Sequence, residues 1–172
     1  MTFTVDIHHH ILPDVFWDAT NEGDSPVGGI APPPWSRDGM LAFLDDTPDV
    51  RYVFSHAGGT VPYLAGRFGI VDEMSVIPGA ERRATAAETF RHLYWDTALS
   101  WGDPVLRMLR EVAGIDHVLF GTDYPYLRRD LAVASRGHIL SSPELNDGER
   151  AAVLGGTAVQ LIPRLAALSA KV

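Results

Sequence analysis

Three consecutive histidines follow the first apolar stretch of the chain. A predicted strand from Phe3 to Ile7 leads directly into His8, His9 and His10. Side chains alternate along an extended segment, so His8 and His10 point to one face and His9 points to the other. Two imidazoles on one face can bind a single divalent metal ion. For the short motif taken alone, an imidazole cluster that only lies on the surface or satisfies backbone groups is an equally good interpretation.

Two more polar side chains lie at the ends of predicted strands. His56 follows the strand Val50 to Ser55, and the glycine pair at 58–59 comes next. Glycines in such a turn let backbone N–H groups approach a ligand, although they could equally serve only the geometry of the turn. The apolar strand 117–123 ends in Asp123, immediately before a Tyr-Pro turn. A histidine and a carboxylate are therefore candidates for the same site as the first histidines.

Predicted helices alternate with predicted strands along the whole chain. Four such repeats indicate an α/β protein with a parallel sheet, in which functional groups gather at the carboxyl ends of the strands. The predicted strands cover residues 3–7, 50–55, 93–98 and 117–123, and the predicted helices include 36–46, 84–91 and 103–114. His8, His10, His56 and Asp123 are therefore expected at one rim of the sheet. Two imidazoles and a carboxylate there could hold a divalent ion, and a further histidine could move protons.

Other polar residues are interpreted structurally. Asp96, in the predicted strand 93–98, could act in catalysis, but a buried carboxylate that holds a loop by hydrogen bonds is the favoured interpretation. Asn146 and Glu149 form a capping-box pattern that predicts a helix start. Gly155 and Gly156 are expected to break that helix. The remaining histidines are interpreted as structural or solvated: His92, His117 and His138.

The composition excludes several classes of function. The chain has 172 residues, 46% of them hydrophobic and 21% charged, which fits one globular domain. Its net charge is −8 without any block of Lys or Arg, which argues against binding to nucleic acid or to an anionic membrane. No cysteine is present, so disulfides and Cys-ligated zinc are excluded. The chain shows neither a signal-peptide pattern nor a membrane-spanning apolar run, and we expect a soluble cytoplasmic protein.

The same motifs resemble those of the amidohydrolase-related family, the relatives of aminocarboxymuconate-semialdehyde and 6-methylsalicylate decarboxylases. The resemblance rests on the stretches 5–13, 54–59, 93–98 and 119–125, in the order of the family. It implies a fold derived from the TIM barrel and a metal site, with zinc as the expected ion. It also implies that His8, His10 and Asp123 ligate the metal and that His56 acts on the substrate. His56 and Asp123 are the expected catalytic residues.

The resemblance implies a metal-dependent enzyme that decarboxylates an aromatic or unsaturated carboxylic acid without oxidation. Two alternatives stay open, namely hydrolysis of a small ester or amide and a truncated family member without catalytic activity. The expected partner is a small-molecule carboxylic acid, and self-association of the chain is also open. Neither nucleic acid nor a membrane is expected as a partner.

The chain is short for this family. A complete (β/α)₈ barrel takes roughly 250 residues. Strands two to five of the family's barrel have no counterpart, which predicts an internal deletion near residues 46–47. The fifth-strand histidine ligand and an arginine for the substrate carboxylate would be lost with them. We therefore expect residues 1–172 to form a single domain, a half barrel of about four parallel strands with flanking helices.

Overall fold

The computed structural model of the protein describes residues 4–8, 51–76, 78 and 84–169. All of these residues belong to one compact unit. The predicted helix at 36–46, the residues His9 and His10, and the predicted junction at 46–47 lie outside the described residues. The single domain and the internal deletion stay predictions.

Three parallel strands form the sheet. They are β1 (Val53–Phe54), β2 (Tyr94–Asp96) and β3 (Val118–Leu119), in the spatial order β1-β2-β3. In this register, Trp95 of β2 lies between Phe54 of β1 and Val118 of β3. The prediction of a parallel α/β sheet is confirmed. The described part of the chain contains three strands rather than the four that were expected.

The predicted first strand is an extended segment beside β3. The backbone N–H of Val5 donates to Leu154 O at 2.7 Å, and that of Ile7 donates to Phe120 O at 3.1 Å. At the end of the segment, the Asp123 N–H donates to His8 O at 2.8 Å. One of these partners belongs to a helix, so the segment does not form a regular ladder. It nevertheless brings His8 to the carboxyl end of β3.

Helices connect and flank the strands. Two short 3₁₀ turns follow β1, His56–Gly58 and Pro62–Leu64. The helices are then α1 (Ala65–Met74), α2 (Ala86–His92), α3 (Asp103–Val112), α4 (Arg129–Ser141) and α5 (Asp147–Ala151). A π-helical turn leads from α5 to α6 (Thr157–Leu161), which is followed by α7 (Ala166–Ser169). The capping box predicted for α5 is confirmed, since the Asn146 side chain accepts from the Glu149 N–H at 3.0 Å. No helix in these ranges is long and apolar enough to cross a membrane.

The predicted helix break at Gly155 and Gly156 is wrong. The chain continues from α5 into α6 through the π-helical turn Ala152–Gly156. In this wider turn the carbonyl of Val153 accepts from the Phe120 N–H at 2.9 Å, and the carbonyl of Leu154 accepts from Val5. Hydrogen bonds to the neighbouring extended segments thus replace part of the regular helical pattern.

Helix α4 was not predicted from the sequence. Its buried residues are Ser135 and Ile139, so a serine stands where the apolar periodicity of a helix would normally continue. The Ser135 hydroxyl is satisfied within the helix, since it donates to Ala132 O at 2.8 Å. A small polar residue can therefore be buried at this position without a cost in unpaired groups.

The core centres on Trp95, which is fully buried. Its indole N–H donates to Phe90 O at 3.2 Å, and the two aromatic rings meet edge to face at 5.8 Å. Aliphatic side chains from α3, β3, α4 and the π-helical turn complete the cluster, namely Leu106, Leu109, Val118, Ile139 and Leu154. The core packs β2 against the helices and leaves its last residue, Asp96, at the rim.

Candidate metal centre

His8, His56 and Asp123 come together at the carboxyl ends of the strands. Each residue offers one ligand atom, and these atoms all lie within 4.8 Å of one another. His8 is the last described residue of the extended segment, His56 follows β1, and Asp123 lies in the loop after β3. The structure thus brings together three of the four residues that the sequence singled out. The fourth, His10, lies outside the described residues.

The donor set fits a divalent metal ion. His8 Nε2 lies 3.2 Å from Asp123 Oδ1, and the imidazole rings of His8 and His56 have centroids 5.0 Å apart. Asp123 is 6% exposed, so its carboxylate is held in a largely dehydrated place. Imidazole nitrogens and carboxylate oxygens are the ligands that zinc and similar ions take in proteins. A buried carboxylate close to two imidazoles therefore suits such an ion.

Asp96 supports both histidines from below the rim. Its Oδ1 accepts from the backbone N–H of His56 at 2.8 Å and from that of Ala98 at 3.0 Å. Its Oδ2 lies 2.7 Å from His8 Nδ1. The prediction that Asp96 holds a loop by hydrogen bonds is confirmed. The contact with His8 was not predicted, because it joins residues 88 positions apart in the sequence.

Asp6 is a second carboxylate whose role the sequence analysis missed. Its Oδ1 accepts from the backbone N–H groups of His8 and Thr122, each at 3.1 Å, and its Oδ2 accepts from the Thr122 hydroxyl. These bonds fix the extended segment against the loop that carries Asp123. The spacing offered a signal, since Asp6 and His8 lie two residues apart in an extended segment and so share a face.

Unusual backbone conformations gather at this rim. Among the described residues, the non-glycine residues with positive φ are His56 at 55°, Ala57 at 54°, Leu99 at 55° and Asp123 at 62°. Each lies in a loop that follows one of the three strands. Such conformations cost free energy, and they cluster at functional sites where the surrounding structure enforces them. Their distribution is a second indication, independent of side-chain type, that this rim is the functional site.

Gly58 lets the loop after His56 lie flat on the core. It has a φ of 72°, and a Cβ atom at this position would lie 2.2 Å from the Trp95 ring. Any side chain would therefore move the loop away from β2. Of the two interpretations of this glycine, turn geometry is the one the structure supports, with close packing on Trp95 added to it.

The His56 ring is oriented by the loop after β2. Its Nδ1 lies 3.2 Å from the carbonyl oxygen of Ala98. A carbonyl can only accept, so Nδ1 carries a proton and Nε2 is the ring nitrogen that can accept one. The same loop is held by Asp96 through the Ala98 N–H. This contact holds the His56 ring with Nε2 at a fixed place.

A cavity of about 410 Å³ adjoins the site. His8 and Asp96 lie in its wall, and Arg51 contributes a positive charge. The remaining wall is mostly aliphatic, from Ile7, Val53, Leu119, Leu161 and Ile162. This volume lies within the range of pockets that bind small organic molecules.

Two of the other histidines have structural partners away from the rim. His117 stacks on Tyr94 with ring centroids 4.6 Å apart, and its Nδ1 lies 2.9 Å from Leu93 O. His138 Nε2 lies 2.9 Å from Asp103 Oδ1. Hydrogen bonds from Ser142 and then His138 hold the pKa of Asp103 below its usual value. The structural interpretation of these two histidines is confirmed.

Comparison with known proteins identifies the family. The family model described as amidohydrolase matches residues 38–164. A 6-methylsalicylic acid decarboxylase of Penicillium expansum is 37% identical over 127 residues, covering 71% of this chain and 37% of that protein. A 6-methylsalicylic acid decarboxylase of Aspergillus aculeatus is 36% identical over 122 residues, covering 67% of this chain and 36% of that protein.

Solved structures show the same fold. The 5-carboxyvanillate decarboxylase LigW of Sphingomonas paucimobilis matches with a TM-score of 0.59 and 25% identity, over 70% of this chain and 36% of that one. A dihydroxybenzoic acid decarboxylase of a Polaromonas species, solved with bound manganese, matches with a TM-score of 0.58 and 21% identity, over 72% of this chain and 36% of that one.

The matches cover only part of the length of the relatives. The chain spans little more than a third of the length of the curated relatives it matches. Its three parallel strands and flanking helices correspond to part of a TIM barrel, as expected from the sequence. The family match covers most of this chain. The chain belongs to the amidohydrolase family.

Proposed function

We propose that the protein is a metal-dependent decarboxylase of aromatic or unsaturated carboxylic acids. The observation that carries this proposal is the cluster of His8, His56 and Asp123, whose ligand atoms lie within 4.8 Å of one another at the strand ends. Two relatives that are 36–37% identical over 122–127 residues are decarboxylases, which supports the same reaction class here.

In this proposal His8 and Asp123 hold the ion, and His10 is added as a ligand from the sequence alone. A bound divalent ion would polarise the substrate and stabilise the negative charge that develops on it. We propose zinc, because two imidazoles and a carboxylate suit that ion. The manganese in the Polaromonas relative makes Mn²⁺ the second ion to test.

His56 is the proposed proton donor. In decarboxylation the bond between the carboxyl carbon and its neighbour breaks, CO₂ leaves, and the electron pair stays on the neighbouring carbon. That carbon must then receive a proton. His56 can deliver one from Nε2 when its ring carries protons on both nitrogens, while its Nδ1–H donates to Ala98 O. We assign Asp123 a second role, in which its carboxylate holds a proton while the substrate carbon is being protonated.

The cavity beside the site fits the proposed substrate class. Its volume of about 410 Å³ and its aliphatic wall suit an aromatic ring. Arg51, on the same wall, can pair with an acidic substituent of the substrate. We propose that this side chain takes over part of the role that the family assigns to an arginine in the part without a counterpart here.

Two alternative functions follow from the family. Hydrolysis of a small ester or amide would use the same ion to activate water. A metal-binding chain without turnover is the other alternative, and it is favoured by one observation, the match to little more than a third of its relatives. Catalysis tolerates little displacement of its groups, so this alternative must be tested directly.

The test uses the full chain loaded with Zn²⁺ or Mn²⁺ and a set of substrates. We expect CO₂ release from 6-methylsalicylate or a hydroxybenzoate, loss of this activity with a chelator, and a loss of at least roughly 100-fold in His56→Asn. His92→Asn is the matched control, since this histidine is exposed at the end of α2. Ester hydrolysis without CO₂ release would support the hydrolase, and metal binding without either reaction would support the inactive form.

We further propose that the chain acts in the cytoplasm and associates with itself. The support for association is the outer edge of β1, where Val53 and Phe54 are each 38% exposed. Helix α1 exposes apolar side chains as well, with Ile70 59% exposed and Met74 82% exposed. Exposed strand edges with apolar side chains are common sites of association.

A further inference from the structure

Asp96 occupies a special position among the residues of the rim. It is the last residue of β2, the central strand, and only 1% of its surface is exposed. It is not one of the three residues whose ligand atoms form the candidate metal cluster. Both of its oxygens are nevertheless engaged with residues of that cluster or with its loops.

The two backbone donors fix the orientation of the carboxylate. The N–H groups of His56 and Ala98 both donate to Oδ1, at 2.8 and 3.0 Å. Oδ2 is then held at one place, 2.7 Å from His8 Nδ1. A buried carboxylate oxygen can only accept, so Nδ1 of His8 must carry a proton.

The consequence appears at the other nitrogen of the His8 ring. With a proton on Nδ1, Nε2 is the ring nitrogen that can accept a proton or a cation, and it lies 3.2 Å from Asp123 Oδ1. A lone pair and a carboxylate oxygen at this distance repel each other unless a cation or a proton lies near both. The ring is thereby oriented to bind a cation beside Asp123.

We propose that Asp96 is the positioning residue of the metal centre. It fixes the proton on His8 Nδ1, so that His8 Nε2 faces the ion, and it holds the backbone of His56 in place beside His8. Metal-bound histidines commonly donate their second ring N–H to a carboxylate, which raises the basicity of the ligand and fixes its orientation. The inference rests on the proposed function for the presence of an ion. The position of the proton on the His8 ring does not depend on a bound ion.

Asp96→Asn separates positioning from a merely structural role. The amide oxygen of asparagine can keep both backbone hydrogen bonds, so the loop should stay in place. Its NH₂ group then faces His8 Nδ1 and must donate, which moves the ring proton to Nε2 and blocks the nitrogen that faces Asp123. A role confined to holding the loop would leave metal affinity unchanged.

The first measurement is the affinity of the full chain for Zn²⁺ and Co²⁺, by competition with a chromophoric chelator. We expect a dissociation constant 10–100-fold higher in Asp96→Asn than in the wild type. Asp130→Asn is the control for the change of charge, because Asp130 is exposed and paired with Arg128, and it should bind like the wild type. An unchanged affinity in a folded Asp96→Asn protein would overturn the proposal.

The second measurement locates the ring proton in the metal-free chain, by ¹⁵N NMR of labelled histidine with His8→Ala to assign the signals. Protonated Nδ1 in the wild type and unprotonated Nδ1 in Asp96→Asn would support the proposal. Unprotonated Nδ1 in the wild type would overturn it, and this spectrum alone decides if Asp96→Asn does not fold. A wild type that binds no ion would refute the proposed function, while the position of the proton still tests Asp96.

Discussion

Gly121 lies against His8 with no room for a side chain between them. A Cβ atom at position 121 would lie 2.8 Å from His8 Cβ, closer than such atoms approach in folded proteins. A Cβ atom at position 121 would also lie 3.5 Å from the Cβ atoms of Ala98 and Asp96. The glycine therefore sets how closely the extended segment, and with it His8, approaches the loop that ends in Asp123.

Gly121→Ala should weaken both the fold and the metal centre. The added methyl group forces His8 away from its contacts with Asp96 and Asp123, at a cost of about 1–3 kcal/mol in the free energy of unfolding. We expect a lower denaturation midpoint and at least a roughly tenfold loss of Zn²⁺ affinity. Chemical denaturation and chelator competition measure the two effects.

Gly137→Ala is the matched control for this substitution. Gly137 lies in α4, and a Cβ atom there meets nothing within 4 Å. Because alanine favours a helix interior, this variant should be more stable by roughly 0.5–1 kcal/mol, with unchanged affinity for metal. Equal metal affinity in Gly121→Ala and Gly137→Ala would show that the contact with His8 does not matter.

Gly58→Ala should be much more damaging than Gly59→Ala. Both residues have positive φ, at 72° and 58°, and Gly59 has a ψ of −118°, so each alanine is forced into a backbone conformation that favours glycine, at a cost of roughly 1–3 kcal/mol. Only at Gly58 does the methyl group also collide with the Trp95 ring. We expect the free energy of unfolding to fall by about 3 kcal/mol or more in Gly58→Ala. Similar unfolding free energies for the two variants would rule out the packing on Trp95 as the reason for this glycine.

Glu149 should contribute to stability in a defined range of pH. The hydrogen bonds from Arg110, followed by that from the Asn146 backbone, lower the pKa of Glu149 from 4.5 to about 2. A lowered pKa in the folded state stabilises the protein above the pKa of the unfolded chain and ceases to do so as pH falls through the folded value. The contribution is therefore complete above about pH 4.5 and is lost between pH 4.5 and 2.

The test compares the wild type with Glu149→Gln by denaturation at several pH values. At pH 7 the variant should be less stable by about 1 kcal/mol, a modest value because the ion pair is partly exposed. The difference should shrink as pH falls toward 2. Asp147→Asn is the control, since this side chain is fully exposed and should change stability little at any pH. A difference between wild type and Glu149→Gln that does not depend on pH would contradict the assignment.

Association of the chain should depend on the outer edge of β1. A half barrel would leave the inner face of its sheet uncovered, with Val53, Tyr94 or Trp95, and Leu119 expected on that face. In the structure Trp95 and Leu119 are buried, whereas Val53 and Phe54 are exposed. We therefore expect a concentration-dependent increase in mass by analytical ultracentrifugation, reduced by Val53→Lys because a charge blocks pairing at an edge. A monomer at every concentration would refute the proposed association.

The sequence predicted the parts of the site that follow from strand periodicity. His8, His56 and Asp123 each follow an apolar stretch, and parallel strands bring their carboxyl ends together. The same argument predicted the parallel sheet. It could not predict how Asp96 and His8 meet, because side chains from different strands pair according to register and loop length, which alternation alone does not determine.

The sequence patterns failed to predict two helical features, for a different reason. In α4 a buried serine satisfies its own hydroxyl, so the apolar periodicity is broken without a structural penalty. At Gly155 and Gly156 the two glycines indicated a break, but bonds from Val5 and Phe120 to carbonyls of the turn stabilise a continuous π-helical segment. At the two glycines tertiary hydrogen bonding outweighs local preference, whereas in α4 a hydrogen bond within the helix allows the serine to be buried.

The most direct test of the metal centre is the metal content of the full chain after dialysis against Zn²⁺ and then metal-free buffer. Elemental analysis should find about one ion per chain in the wild type and in His92→Ala, whose histidine is exposed and distant from the cluster in sequence. His8→Ala and Asp123→Ala should each lose most of the ion, because each removes a ligand atom of the cluster. Absence of zinc from the wild type, or equal zinc in all four proteins, would contradict a metal centre in which His8 and Asp123 hold the ion.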